Sequence, residues 1–264
     1  MSRTKPVSEL MRTDLITIEK GETVEIALDF MERNDINHLI VTSDGKLVGV
    51  LSVRDIMEGL GSSRFQRVPA RRIYVSALMM EPPVTIQETS LIKEAITILL
   101  ENNIRSLPVM RGDSLVGIVT ETDLIRELES EESIKDLVKV DHPKIMPNER
   151  IVHARSIMLE RGARMLPVVE SSGLVGIVTE RNLAKAFLDV RENIDPVYMD
   201  NVVRRIVVED VMIEAPRKLA GYISINEAKR NFIETKLPAL PVIEPHGERL
   251  VGVLERRSLL RLFR

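Results

Sequence analysis

A polar motif that could bind a nucleotide occurs three times in this 264-residue chain, and an altered fourth version follows near its end. The paired positions are Ser52 with Asp55, Thr120 with Asp123, Thr179 with Asn182, and Glu255 with Ser258. A carboxylate can accept hydrogen bonds from both vicinal hydroxyls of a ribose, and a helix start suits a phosphate. The same spacing also matches a helix capping box, in which a hydroxyl and an acid satisfy backbone amides reciprocally. Each motif therefore offers a ligand site, a structural cap, or both.

The four motifs are not equally suited to a ribose. Asp55 and Asp123 carry the charge that strengthens a hydrogen bond from a hydroxyl, whereas Asn182 accepts without that charge. In the last copy Glu255 places a carboxylate where a phosphate would lie, and Ser258 is too short to reach both hydroxyls. We expect the first two copies to be competent, the third to be weaker and the fourth to serve as scaffold.

Each motif closes one copy of a repeated segment. The motifs follow a shared glycine and two apolar residues, and these glycines are Gly49, Gly117, Gly176 and Gly252. Every copy reads as a first strand, an amphipathic helix, a short apolar strand, a turn, a second apolar strand and a closing helix. In the first copy the apolar face of the first helix comprises Val24, Ala27, Leu28 and Met31. The fold class predicted for each copy is α+β, with a three-stranded sheet and two helices.

The short apolar strand contains a proline in three copies, at Pro108, Pro167 and Pro241. Proline cannot donate a hydrogen bond to a neighbouring strand, so its presence predicts a strand at the edge of the sheet.

One copy of this length buries too little surface to be stable alone, so we expect the copies to pair. The stretch 127–133 is dense in Glu and Ser and is the natural seam. The prediction is two modules with pseudo-two-fold symmetry. Residues 1–131 would hold repeats 8–60 and 76–128, and residues 132–264 would hold repeats 135–187 and 208–263.

Composition excludes several classes of site. The chain has no cysteine, which excludes disulfides, thiolate zinc sites and a cysteine nucleophile. Its four histidines include no pair four residues apart, and the standard motifs of enzymes are absent, so we expect neither a metal site nor catalysis. No apolar run approaches the roughly 18 residues that span a bilayer, so we expect a cytoplasmic protein without a membrane partner.

Four arginines begin the closing helices: Arg54, Arg181, Arg256 and Arg257. They could reach a phosphate, contact a neighbouring module or face solvent, and the sequence leaves these alternatives open.

The order of elements, the Leu-Pro-Val strand and the closing Gly-h-h-(Ser/Thr)-x-x-Asp segment, where h is apolar, resemble the cystathionine-β-synthase (CBS) domain. Four copies resemble archaeal tandem CBS proteins and the gamma subunit of AMP-activated protein kinase. The resemblance implies that adenine nucleotides bind in clefts between paired repeats. Carried over by position, the nucleotide-binding residues are Ser52, Asp55, Thr120, Asp123, Thr179, Asn182, Thr17, Thr85, Asn37, His38, Arg105, Ser106, Arg164 and Met165.

The function that this resemblance implies is non-catalytic sensing of cellular energy state. The expected ligand is AMP, ADP or ATP with no obligatory cofactor, and the expected partner is a separately encoded kinase, enzyme or transporter. The sequence leaves open whether the chain forms a homodimer. The alternatives are an adaptor with empty clefts whose more basic second half contacts nucleic acid, and a binder of S-adenosylmethionine-type ligands.

Overall fold

The structure is a computed structural model that describes residues 5–247 and 249–263. The helices and strands of the first two repeats follow the predicted order. The elements of the first repeat are β1 (Thr17–Glu19), α1 (Val24–Arg33), β2 (His38–Ser43), β3 (Lys46–Ser52) and α2 (Val53–Leu60). Those of the second are β4 (Ile86–Gln87), α3 (Ile92–Glu101), β5 (Ser106–Arg111), β6 (Ser114–Thr120) and α4 (Glu121–Arg126).

The third and fourth repeats have the same order with small additions. Strand β7 (Val138–Lys139) leads into the third repeat, which contains α5 (Ile151–Glu160), β8 (Met165–Glu170), β9 (Gly173–Thr179) and α6 (Glu180–Asn193), followed by α7 (Met199–Val203). Strand β10 (Ile213–Glu214) leads into the fourth, which contains β11 (Leu219–Ala220), α8 (Ile225–Thr235), β12 (Ala239–Ile243), β13 (Leu250–Glu255) and α9 (Arg256–Leu260). Single 3₁₀ turns lie at Val7–Glu9, Ser63–Phe65, Ala70–Arg72, Val75–Ala77, Lys135–Leu137, Val208–Asp210 and Arg261–Phe263.

The apolar helix faces lie in the core as predicted. In the first repeat Val24, Ala27, Leu28 and Met31 are all buried. The closing helix of the same repeat buries Ile56 and Leu60 against the same core. The predicted α+β class, with four repeats of a small sheet and two helices, is therefore confirmed.

In the second and fourth repeats the strand that contains Leu-Pro-Val lies in the middle of its sheet, so the edge prediction is wrong there. In the third repeat β8 ends the order β10-β9-β8, but its outer side is bridged to Ile145. The strand orders include β1-β2-β3, β4-β5-β6 and β11-β12-β13-β7. In the third repeat, Ile145 N donates to Pro167 O at 3.0 Å and Val169 N donates to Ile145 O at 2.9 Å. This ladder starts at the proline carbonyl and requires no N–H from the proline, so a central strand tolerates it.

The chain divides into two compact units that do not follow the sequence order of the repeats. We call Ile16–Pro83 with Pro143–Pro216 the odd unit, because it holds repeats one and three. The even unit holds repeats two and four and comprises Met1–Leu15, Val84–His142 and Arg217–Arg264. The predicted pairing of consecutive repeats, with a boundary at residue 131, stays a prediction.

The odd unit is held together by its closing helices. Helix α2 packs on α6, and a single apolar cluster runs through both repeats. Arg191 of α6, which is 9% exposed, donates to the backbone carbonyls of Leu60, Phe65 and Val68. The even unit follows the same plan, with α4 packed on α8 and α9.

A short segment near the start of each repeat pairs with the hairpin strand of the adjacent copy. We call these the lead-in segments; they are Met11-Arg12, Met79-Met80, Val138-Lys139 and Met212-Ile213. Their second residues pair antiparallel with Ile118, Val50, Val253 and Ile177, in that order. Each lead-in segment thus belongs to the same compact unit as the strand that it joins.

The repeated glycine lies where the lead-in segment crosses the hairpin strand. A Cβ at Gly117 would lie 2.6 Å from Met11 Sδ and 3.1 Å from Arg12 O. A Cβ at Gly252 would lie 2.6 Å from Lys139 O. Only glycine permits so close an approach of two backbones. The glycine therefore has a packing role in each copy.

Candidate functional site

The predicted site residues of each copy meet where the hairpin strand ends and the closing helix begins. We call this place the corner of the repeat. The last strand residue lies opposite the first residue of the Leu-Pro-Val strand or its equivalent, as in His38 with Ser52, Ser106 with Thr120, and Met165 with Thr179. Sequence positions far apart in each copy thus converge on one corner.

A complete capping box occupies the first three corners. Ser52 N and Ser52 Oγ both donate to Asp55 Oδ2 at 2.7 Å, and Asp55 N donates to Ser52 Oγ at 3.3 Å. The second and third corners repeat this pattern, with Asn182 Oδ1 in place of a carboxylate oxygen. The capping interpretation is confirmed. Because the hydroxyl's single proton is used within the box, the hydroxyl does not donate it to a ligand in this arrangement.

The carboxylate of Asp55 keeps one oxygen open. Both bonds from Ser52 reach Oδ2, and within the described residues no donor contacts Oδ1. Burial is the largest influence on this group and raises the pKa of Asp55, while the hydrogen bonds from Ser52 and the charge of Arg164 lower it. Glu180 raises it slightly further. The corner of repeat one therefore presents an acceptor in surroundings that disfavour an uncompensated charge.

Lowering the pH is expected to favour wild type over an Asp55→Asn variant. The raised pKa means that the folded chain binds a proton at Asp55 more tightly than the unfolded chain, whose ordinary value is 3.8. The stabilisation is complete below that value and is lost as pH rises through the folded-state pKa. Urea unfolding at neutral pH and at about pH 4.5 measures the difference in unfolding free energy. A difference that is the same at both pH values contradicts the prediction.

The carboxylate of Asp123 is fully engaged. Thr120 N and Oγ1 donate to Oδ2 at 3.0 Å and 2.6 Å, and Arg12 Nε donates to Oδ1 at 2.9 Å. The side chain of Asp123 is 5% exposed, whereas that of Arg12 is 45% exposed. In the second corner both carboxylate oxygens are thus hydrogen-bonded, whereas in the first corner only one is, although both corners keep the hydroxyl and the acid.

The two arginines that precede the middle strands are largely buried beside glutamates. Arg105 Nε lies 3.8 Å from Glu121 Oε2, and Arg164 Nη1 lies 3.6 Å from Glu180 Oε2. Their side chains are 13% and 11% exposed. These contacts give both arginines a structural partner, and their predicted contact with phosphate stays a prediction.

The other predicted residues lie on the strands that frame the corners. Asn37 precedes β2, and its side-chain oxygen accepts from Arg181 Nη2 at 2.8 Å. Thr17 is exposed in β1, and Thr85 lies just ahead of β4. The side chains of Ser106 and Met165 are buried, whereas His38 is half-buried.

The fourth corner has a different set of contacts. Glu255 Oε2 lies 2.7 Å from Lys139 Nζ, and Glu255 Oε1 lies 3.7 Å from His142 Nδ1. No side-chain cap bond forms at this helix start, and Ser258 is buried. Glu255 therefore binds the lead-in lysine, as Asp123 binds the lead-in arginine.

The arginines at the helix starts contact the paired repeat of the same unit. Arg54 Nη1 donates to Glu180 Oε1 at 2.6 Å, and Arg181 Nη2 donates to Ile36 O at 2.6 Å. Arg256 Nη1 donates to Thr122 Oγ1 at 2.8 Å in the even unit. Arg257 Nη2 donates to the carbonyls of Leu99 and Leu100 at 2.6 and 3.0 Å. Among the three alternatives for these residues, contact with a neighbouring repeat is the one that the structure shows.

The sequence interpretation missed Arg12 and Lys139 as corner residues. Both stand second in a lead-in segment, and three of the four segments begin with methionine after Leu or Val. That recurrence ahead of each copy is the signal that could have identified them.

The described residues contain neither a candidate metal site nor a candidate membrane-spanning helix. Residues 5–247 and 249–263 contain no group of three His, Asp or Glu side chains placed to hold a metal ion. Within the same ranges, every helix is too short or too polar to cross a bilayer.

Comparison with known protein families now identifies the repeat. The model of the CBS domain matches all four copies, at residues 7–62, 75–130, 134–189 and 208–264. The chain belongs to the CBS domain family. Its CBS repeats therefore account for most of its length.

Two proteins with solved structures resemble this chain over most of its length. Protein MJ1225 of Methanocaldococcus jannaschii is 28% identical over 277 residues, covering 94% of this chain and 95% of the relative. Its crystal structure, described as that of a proposed archaeal homologue of γ-AMPK, superposes with a TM-score of 0.85 at 23% identity, covering 98% of this chain and all of that one. A conserved protein of Pyrococcus horikoshii gives a TM-score of 0.64 at 23% identity, with the same coverage. These structures share the fold of this chain.

Proposed function

We propose that the chain binds an adenine nucleotide (AMP, ADP or ATP) at the corner of repeat one and acts as a non-catalytic regulatory protein. The observation that carries this proposal is the free Oδ1 of Asp55, an acceptor fixed by a capping box at the first turn of α2. A carboxylate oxygen in that position can accept a hydrogen bond from a ribose hydroxyl without breaking an existing contact.

The surroundings of Asp55 favour a ligand that brings donors and an anion. The start of α2, an eight-residue helix, carries the positive end of the helix dipole. Arg164 lies close enough to lower the pKa of Asp55. A ribose hydroxyl would then satisfy a half-buried acceptor, while the helix start and Arg164 would offset the phosphate charge.

A regulatory role follows from the way in which ligands act on repeats. A nucleotide shifts a conformational equilibrium only by its different affinity for the two states. Each compact unit combines two copies, so an occupied corner would change the stability of that unit. A separately encoded enzyme or transporter would then bind differently to the occupied and the unoccupied chain. The description of MJ1225 as a proposed homologue of γ-AMPK supports energy sensing as the process.

Thermal unfolding with added AMP, ADP, ATP, S-adenosylmethionine and NAD tests the proposal. At a hundred times its dissociation constant, a ligand of the native state adds about 2.7 kcal/mol to the unfolding free energy. We expect Asp55→Asn to lose most of that gain and to keep its fold, because Asn182 already serves in the same cap.

The matched control is Asp29→Asn, which changes an exposed aspartate of α1 in the same unit. It should respond to nucleotide as wild type does. If none of the five compounds stabilises wild type, the proposal fails. If only S-adenosylmethionine does so, the corner binds an adenosyl ligand and the energy-sensing role fails.

A further inference from the structure

The lead-in segment places a different residue at the equivalent position of each corner. Arg12 and Lys139 take this position in the even unit, and Met80 and Ile213 take it in the odd unit. The pairing fixes the equivalence, because each lies opposite the residue that follows the repeated glycine. The even unit thus brings a cation to both of its corners, and the odd unit has an apolar residue at the equivalent register position.

The lead-in cations hold acidic side chains at their corners. Arg12 donates to Oδ1 of Asp123 at 2.9 Å, the oxygen equivalent to the one that stays open on Asp55. Lys139 lies 2.7 Å from Glu255 in the fourth corner. A ribose hydroxyl that approaches Asp123 must therefore displace a charged donor.

Arg12 can leave Asp123 without unfolding its surroundings. Its side chain is 45% exposed, so its guanidinium has room to turn toward solvent. A charged hydrogen bond to a side chain that is only 5% exposed is stronger than one between neutral groups, so a neutral ligand does not compensate for its loss. A phosphate on the incoming ligand offers the released guanidinium a new anion.

We propose that the lead-in residue sets the class of ligand that each corner accepts. The Asp55 corner, with Met80, accepts the ribose of an adenosine compound whether or not it carries phosphate. The Asp123 corner, with Arg12, excludes the neutral nucleoside and accepts only a ligand with a phosphate that pairs with the displaced arginine. This inference rests on the proposed function and adds the ligand class of each corner.

Exchanging the two lead-in residues tests the proposal by calorimetric titration of adenosine and AMP. In an Asp55→Asn background, Arg12→Met should strengthen adenosine binding about tenfold and reduce the preference for AMP. In an Asp123→Asn background, Met80→Arg should weaken adenosine binding about tenfold. Arg12→Gln provides a second removal of the charge with a polar side chain.

The matched control is Arg111→Met, which removes an exposed arginine at the end of β5, in the even unit, from its ion pair with Glu88. It should leave both affinities unchanged. If wild type binds and Asp55→Asn weakens binding but the exchanges change nothing, this inference fails and the proposed function stands. If neither adenosine nor AMP binds to wild type or to any variant, this inference fails, and the proposed function fails as well if ADP and ATP do not stabilise wild type.

Discussion

Replacing Arg191 by methionine is expected to lower the free energy of unfolding by about 3 kcal/mol. Its guanidinium donates to three carbonyls, with Nε to Leu60 O at 3.2 Å and Nη1 to Val68 O at 2.8 Å. Leu60 is the last residue of α2, so the arginine also places a cation at a helix C-terminus. Methionine keeps much of the apolar volume but leaves these carbonyls without their donor.

Urea unfolding of Arg191→Met beside Arg33→Met measures this effect. Arg33 is 74% exposed and pairs with Asp29 four residues earlier on α1 of the same unit. Exposed pairs of this kind contribute about 0.5 kcal/mol. Equal losses in the two variants would show that the bridge between α6 and the end of α2 does not stabilise the odd unit.

Replacing Gly252 by alanine is expected to cost about 2 kcal/mol of unfolding free energy. The new Cβ would lie 2.6 Å from Lys139 O and 2.8 Å from Val138 Cγ1. The first of these atoms belongs to the backbone, so the clash is removed only if β7 shifts away from β13. The same shift would move Lys139 from Glu255, whose ion pair it forms at 2.7 Å.

Gly21→Ala is the matched control for this substitution. A Cβ at Gly21 would meet nothing within 4 Å, so alanine there should be neutral or slightly stabilising. Thermal unfolding of both variants makes the comparison. A Gly252→Ala variant as stable as Gly21→Ala would contradict the close crossing of the lead-in segment.

The helices, the hairpins and the closing caps could be predicted because they depend on local patterns. Apolar spacing placed Val24 and Met31 in the core, and the motif itself indicated the cap at Ser52. The spacing of Ser52 and Asp55 also predicted that the two side chains meet, since three residues separate neighbours on one helical turn.

The pairing of repeats within units depends on contacts far apart in the chain, which local patterns do not encode. Arg54 reaches Glu180 across more than a hundred residues, and Arg12 reaches Asp123 over a similar distance. The proline prediction failed for a related reason. Whether Pro167 weakens a sheet depends on which of its backbone atoms faces the neighbouring segment, and Ile145 bonds to the proline carbonyl and not to its nitrogen.

The two interpretations of the motif turned out to be compatible at Asp55. The cap uses one carboxylate oxygen and leaves the other open, so a structural role does not exclude a binding role. At Asp123 the same cap coexists with an ion pair to Arg12, so equivalent motifs differ in their capacity to accept a hydrogen bond from a ligand. That difference lies in the lead-in residue and not in the motif.

The most direct test of the central claim compares AMP with 2′,3′-dideoxy-AMP, which lacks both ribose hydroxyls. Calorimetric titration would use two chains, Asp123→Asn and the double variant that adds Asp55→Asn. If the open oxygen of Asp55 accepts the ribose, the first chain should prefer AMP by about tenfold or more, and the double variant should lose most of that preference. An equal preference in both chains would contradict the account.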